Sequence, residues 1–330
     1  MKKNQLGLTI LELLISLTVG LFLFAGVLSV FVGMRTTTEE TTSYGALQEN
    51  ARFALNIISE DLSRQAFWGD YTGDIDEASL IASIDPATVG GDCVGGGVNN
   101  ASFPDTVGAF RTIWGATAAA AANMNCINDA FVGSDILQIK RAVANPLNLV
   151  DIRGDRYYIQ SSSNAAAIFA GNAAVPTINN SRIWEYQHHV YYVREEQVGN
   201  ETVPVLVQGT LSRAAQVMNL GMLVEGIEMI RFMYGVDMDG DGIVDSFVSA
   251  DDMTNNLWDQ AGDVNILSVK VFVLARDIRP DLNYENNNTY QLGDLSVDFM
   301  DVAGNGDNFR RLLLSSTVSL DNARTTSWPP

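Results

Sequence analysis

The first 85 residues of this 330-residue chain contain no proline, the first being Pro86. A helix can therefore run far from the N-terminus, with Gly20, Gly26 and Gly33 its only soft points. Basic residues are scarce, 20 against 39 acidic, giving a net charge of −19. That balance argues against nucleic acid or anionic lipid as a partner, because both need a basic patch. The two histidines, His188 and His189, are adjacent. On a strand they point to opposite faces and cannot chelate one metal together, so one core-facing and one exposed histidine is expected. No GxSxG, Walker A, HExxH or CxxC motif occurs, and no enzyme is expected.

What is present begins at the N-terminus. Lys2 and Lys3 precede Gly7, and Leu8–Met34 is an apolar run in which Glu12 is the only charge. At about 1.5 Å per residue this run makes roughly 40 Å of helix, enough to span a bilayer with tilt. The lysines would hold the N-terminus on the cytoplasmic side. A secretory signal has a shorter apolar core followed by a small-x-small site, whereas here the run is long and the glycine precedes it. A plain anchor leaves Glu12 unexplained, since a carboxylate in such a helix is costly unless paired.

Gly7 followed by Leu8-Thr9-Ile10-Leu11-Glu12 resembles the cleavage and methylation motif of type IV prepilins and pseudopilins. The resemblance implies cleavage between Gly7 and Leu8 by a prepilin peptidase, methylation of the new amine, and pairing of Glu12 with a neighbouring subunit's N-terminus. Leu8 replaces the family's usual phenylalanine, and the family's frequent helix-kinking proline is absent. Beyond a polar stretch at 35–44, Leu47, Ala51, Ala54, Leu55, Ile58, Leu62 and Ala66 recur at three- and four-residue steps. That is an amphipathic stripe, expected to end near Gly69. The blocks Leu47 to Leu55 and Asp61 to Gly69 resemble the minor pilins of the PilW family. The strands after 223 and the basic start of the last strand, Arg310-Arg311, carry the resemblance further.

Residues 70–135 are rich in glycine, asparagine and alanine and read as loops with a short helix in the Ala116–Ala122 tract. They are expected to form a variable excursion from the sheet, stapled by Cys93 and Cys126. An exported domain favours a disulfide, and a loop of about 33 residues gains roughly 3–4 kcal/mol from one. Strands are expected over 136–141, 156–160, 188–194, 205–208, 211–213, 267–276 and 310–320, with a hairpin connection at 195–204 and a long strand pair or bent strand over 223–236.

One stretch has metal-ligand spacing. Asp237, Asp239, Asp241 and Asp245 fall at relative positions 1, 3, 5 and 9, with Gly242 at 6 and Ile243 offering a carbonyl at 7. Calcium takes six to eight oxygens, and this spacing wraps a loop round one ion. Relative position 12 is Val248, so the loop is no EF-hand, and Asp251 or Asp252 is the candidate for the missing oxygen. An ordinary acidic hairpin turn is the plainer reading. The five tryptophans, Trp68, Trp114, Trp184, Trp258 and Trp328, are expected to anchor the core or an interface.

The expected fold is α+β and pilin-like: a leader at 1–7, a membrane-spanning assembly helix at 8–34, its amphipathic half at 35–69, and a β-rich periplasmic domain at 70–330 with an antiparallel sheet. The resemblance implies a minor pilin that initiates assembly or caps the pilus tip. It would sit in the inner membrane by a single span and then enter the pilus. Its partners would be the prepilin peptidase, major and other minor pilins, the assembly platform and a tip adhesin. The rival readings are an adhesive tip module whose site is 70–135, and a minor pseudopilin of a type II secretion system.

Overall fold

The structure, a computed structural model, describes residues 9–73, 75, 89–199, 201–214, 217–320 and 322. The expected leader, the Gly7–Leu8 junction and Trp328 lie outside the described residues. The chain divides into two units, Met1–Ala46 and Leu47–Pro330. Helix α1 (Ile10–Ser63) contributes residues to both.

Over 10–34, in the first unit, α1 is apolar on every side but for Glu12 and a few hydroxyls, and its large side chains, such as Ile10, Phe22, Phe24 and Phe31, are exposed. Among the described residues α1 is the one helix long and apolar enough to cross a membrane. Its few hydroxyls do not break that character, because each bonds back onto the helix. Ser16 Oγ donates to the Leu13 carbonyl at 3.0 Å, and Thr18 Oγ1 to that of Leu14 at 2.9 Å. Thr37, Thr38 and Thr41 do the same to Gly33, Met34 and Thr37. Such bonds satisfy the hydroxyl proton within the helix itself.

In the second unit the stripe is buried as its period requires. Leu47, Ala51, Ala54, Ile58 and Leu62 face a core shared with strands of two sheets. The helix ends at Ser63, earlier than the expected Gly69. Ala66 takes a left-handed conformation, φ 55°, and turns the chain so that Phe67 and Trp68 enter a second cluster. Phe67 meets Trp184 edge-on at 5.3 Å, and Trp68 stacks on Tyr186 at 6.1 Å.

The larger sheet has seven strands: β1 (Ile113–Thr117), β2 (Asp135–Ala142), β3 (Tyr157–Ser162), β4 (Ala165–Ala170), β5 (Arg182–Val198), β6 (Glu201–Ser212) and β7 (Val217–Glu225). The order is β1-β2-β5-β3-β4, with β6 on β5 and β7 on β6, all antiparallel. The β5–β6 hairpin turns after Val198, where Gly199 has φ 67°. The smaller sheet is β13-β10-β8-β9, from β8 (Ile227–Asp237), β9 (Ser246–Ser249), β10 (Asn265–Arg276) and β13 (Arg311–Ser319). Between them lie a one-turn helix α2 (Asn255–Trp258) and a small hairpin, β11 (Tyr290–Leu292) with β12 (Leu295–Val297).

The run 223–236, expected as a strand pair or bent strand, is the end of β7 and most of β8, which belong to different sheets. Gly226 makes the switch at φ 75°, and a Cβ there would sit 2.8 Å from the Arg276 carbonyl oxygen. In β10, Val269, Val271 and Val273 are fully buried, while Lys270 lies over the Phe247 ring at 3.6 Å. The basic start of β13 is a lock. Arg311 pairs with Glu228 of β8 at 2.5 Å and with Asp307 at 2.7 Å, and Arg310 pairs with Asp281 at 2.9 Å.

The described part of 70–135 is more ordered than the loops expected there. They supply β1, and Ala116–Thr117 is strand where a helix was expected. The described part also covers the second face of the larger sheet. Cys93, Phe110, Ala118, Ile127 and Ala130 pack there against Tyr186, Val190 and Tyr192 of β5. β5 is buried on alternate residues facing this side, so the sheet needs a lid, and this segment is it.

Candidate assembly helix, acidic turn and buried polar clusters

Glu12 lies in the first turn of α1 and is exposed. Thr9 Oγ1 accepts from the Glu12 backbone N–H at 3.3 Å, as a helix N-cap does. An acid in the first turn also complements the helix dipole. The surrounding side chains are apolar and exposed, so the carboxylate is the one charged group on this face of the segment.

The acidic loop is the turn between β8 and β9. Asp237 ends β8, and its carboxylate accepts from the N–H groups of Gly240 at 2.7 Å and Gly242 at 2.9 Å. Both glycines have positive φ, 77° and 82°. Against the upward push of burial, these N–H groups hold the Asp237 carboxyl below its ordinary value. Asp245 Oδ2 accepts from Met238 N–H at 2.7 Å, which folds the far end back onto the start. The result brings carboxylate oxygens of Asp237, Asp239 and Asp245 within 4.8 Å of one another. Asp241 is not in that group and accepts from Ile243 N–H at 2.8 Å, while the Ile243 side chain is exposed. The two residues expected to complete the set are engaged elsewhere. Asp251 accepts from Thr117 at 2.8 Å and lies 3.5 Å from Arg231, and Asp252 accepts from Ser249 at 2.8 Å. Asp263, on the loop before β10, instead approaches the turn: its carboxyl carbon lies 3.6 Å from where a Gly240 Cβ would be. The donor set is all oxygen, which suits a hard cation.

Cys93 and Cys126 form a disulfide, with Cα atoms 5.0 Å apart. Cys93 is fully buried. Of the tryptophans, Trp68, Trp184 and Trp258 are buried, and Trp114 packs on Trp258 at 6.3 Å.

Neither histidine is exposed, which corrects the expectation for one of them. The two do face opposite sides of β5. His189 lies toward α1, where its Nδ1 is 2.7 Å from Asp61 Oδ2. Arg141 Nε donates to Asp61 Oδ1 at 2.5 Å, and the Tyr191 hydroxyl donates to Oδ2 at 2.8 Å. Asp61 is thus a buried acid on the apolar stripe with three partners on β2 and β5. Against burial, His189 and Arg141 hold its carboxyl far below the ordinary range. A polar residue on a core-facing stripe, next to Leu62, was the available signal.

His188 lies under the disulfide segment. Ser102 donates to Asp92 through Oγ at 2.5 Å and through its backbone N–H at 2.9 Å. His188 Nδ1 is 2.8 Å from Ser102 Oγ, and its Nε2 is 2.9 Å from Gln138 Nε2. Since the serine proton goes to the carboxylate and the amide nitrogen is a donor, Nδ1 carries the imidazole proton and Nε2 accepts. Burial pushes the imidazole well below its usual value, so it is neutral. Directly opposite His188 in the β2–β5 register stands Lys140, also fully buried. Two consecutive cations, Lys140 and Arg141, at the end of the expected apolar strand 136–141 were the signal for both clusters.

The family model of type IV pilus-assembly protein W, PilW, matches residues 190–322. This span runs from the middle of β5 to just beyond β13, so it contains the sheet switch, the acidic turn and the Arg311 lock. The match supports the PilW resemblance read from the sequence, and α1 lies outside the matched residues. No curated protein and no solved structure matches the chain.

Proposed function

From the PilW family match as premise, and its tie to type IV pilus assembly, we propose that the chain is a minor pilin. It is anchored by the 8–34 helix, cleaved after Gly7, and enters the pilus at or near its initiating tip, with the β-rich unit in the periplasm before assembly. The observation that carries this reading is the conjunction of two features. An exposed apolar helix bears a single acid at the fifth residue after a glycine, and a separate C-terminal span matches a pilus-assembly family. In a bundle of such helices the driving terms are apolar packing and the Glu12–amine pair in low dielectric. Its partners in this reading are the prepilin peptidase, the assembly platform, other pilins and a tip adhesin. Deleting the gene in the native host tests it: pili are lost or sharply reduced and return with the wild-type copy. Undiminished piliation would remove the role.

The acidic turn binds calcium in this reading, with Asp237, Asp239 and Asp245 as the first ligands, the Ile243 carbonyl and Asp241 as neighbours, and Asp263 as the added oxygen. The cation would relieve repulsion among carboxylates that the β8–β9 turn forces together, and so stiffen the edge of the smaller sheet. Melting with calcium and with chelator measures this directly.

A further inference from the structure

Lys140 is one of only four lysines in the chain, and it is completely buried. Its Nζ donates to Asn100 Oδ1 at 2.7 Å and to the Arg111 carbonyl at 3.0 Å, and the Phe110 ring lies 4.5 Å away. Both acceptors are neutral amide oxygens. Among the described residues Lys140 has no salt-bridge partner, although Asp92 and Asp105 act on it from further off. The carboxamide opposite is held as firmly. Asn100 is 1% exposed, and its Nδ2 donates to the Gly96 carbonyl at 2.9 Å. Gly95 presses against it, and a Cβ there would sit 2.2 Å from Nδ2.

We propose that Lys140 and Asn100 join in an intramolecular isopeptide bond, a covalent cross-link between β2 and the disulfide-bearing segment. The neutral amine Nζ attacks the carboxamide carbon Cγ, one bond beyond the oxygen it already contacts. The new C–N bond places the electron pair on Oδ1. Collapse of that tetrahedral centre expels Nδ2, which takes the proton that Nζ gives up and leaves as ammonia. One amine and one primary amide become one secondary amide plus ammonia, with no oxidant or co-reactant needed.

Three features favour the step. Burial pushes the Lys140 ammonium well below the ordinary lysine range, with Arg111 adding to the effect, so the nucleophilic neutral form is favoured. The two groups are held in contact by the folded sheet, which supplies the advantage of an intramolecular reaction. Acylation also removes for good an amine whose charged form would be buried without an ion-pair partner among the described residues. The Cys93–Cys126 bridge closes the segment on itself, and the new bond would tie it to β2.

The full chain, purified in detergent, is reduced, alkylated, unfolded and digested. Lysine-specific cleavage is expected after Lys270 and absent after Lys140. Trypsin is expected to give one branched species, 65–111 joined to 112–141, lighter by one ammonia than the two peptides together. Because Cys93 and Cys126 lie in the same two peptides, survival after reduction excludes the disulfide as the link. In Asn100→Ala the branched species disappears and cleavage after Lys140 returns, and denaturing digestion makes that readout independent of folding. Recovery of the free 112–140 peptide as the main product from the wild-type chain overturns the proposal. So does a block at Lys140 without the loss of ammonia.

Discussion

Replacing Asp61 by alanine probes how α1 is fixed to its sheet. The carboxylate is 4% exposed and is met by Arg141 at 2.5 Å, His189 at 2.7 Å and Tyr191 at 2.8 Å. Removal leaves the Arg141 guanidinium, itself 6% exposed, as a buried charge whose carboxylate partner is gone. Breaking a buried pair from one side costs about 3–5 kcal/mol. For a domain of this size about 2–4 °C of melting temperature accompanies each kcal/mol. Urea denaturation of the 35–330 fragment, wild type against Asp61→Ala, measures the loss, and the double variant Asp61→Leu/Arg141→Met recovers most of it because no lone charge remains. The pH dependence has a definite sign. The folded carboxyl lies below the unfolded value of 3.8, so its stabilisation is complete above that value and lost as pH falls below it toward the folded value. The gap between wild type and Asp61→Asn therefore narrows below about pH 3.8. A single-variant loss under about 1 kcal/mol, or a gap that widens in acid, would refute the reasoning.

Two further outcomes follow from the same unit. If the acidic turn binds calcium as proposed, calcium at about a hundred times its dissociation constant is expected to raise stability by roughly 2.7 kcal/mol, read as a higher melting temperature than in chelator, and Asp237→Asn is expected to abolish the difference. No calcium-dependent shift removes the ion from the β8–β9 turn. Replacing both Cys93 and Cys126 by serine lowers stability by about 2–5 kcal/mol in urea, since the bridge closes the loop of the segment that covers β5. An unchanged midpoint would mean that packing alone holds it.

Much of this was legible from periodicity. Leu47, Ala51, Ala54, Ile58 and Leu62 are buried where the helical repeat put them, and Val269, Val271 and Val273 where the strand repeat put them. What escaped were elements whose identity comes from their neighbours. β4 is alanine-rich, and Ala166 and Ala167 are poor strand formers on their own; they are strand because they pair with β3 and are fully buried there. β1 contains Trp114 and Gly115, and the space for Gly115 is set by Tyr234, whose hydroxyl would be 2.1 Å from a Cβ. The 70–135 segment looked like an excursion because glycine and asparagine mark loops. Its burial follows from the aromatic residues on β5 that it covers. Consequently deletion of that segment, the test that would separate an adhesive module from an assembly role, would strip a core face as well. Substitutions at its exposed Val98, Val107 and Val132 are the cleaner probe. The acidic turn was legible in spacing, but the partners of Asp251 were not, because Thr117 and Arg231 reach it from distant positions.

The most direct measurement of the central claim is the content of sheared pili from a strain whose only copy carries Glu12→Ala. The variant is expected to be cleaved to an N-terminal Leu8 and to accumulate in the membrane, while the sheared fraction loses it and pilus number falls. Wild-type amounts of the variant in sheared pili, with normal pilus number, would contradict the account.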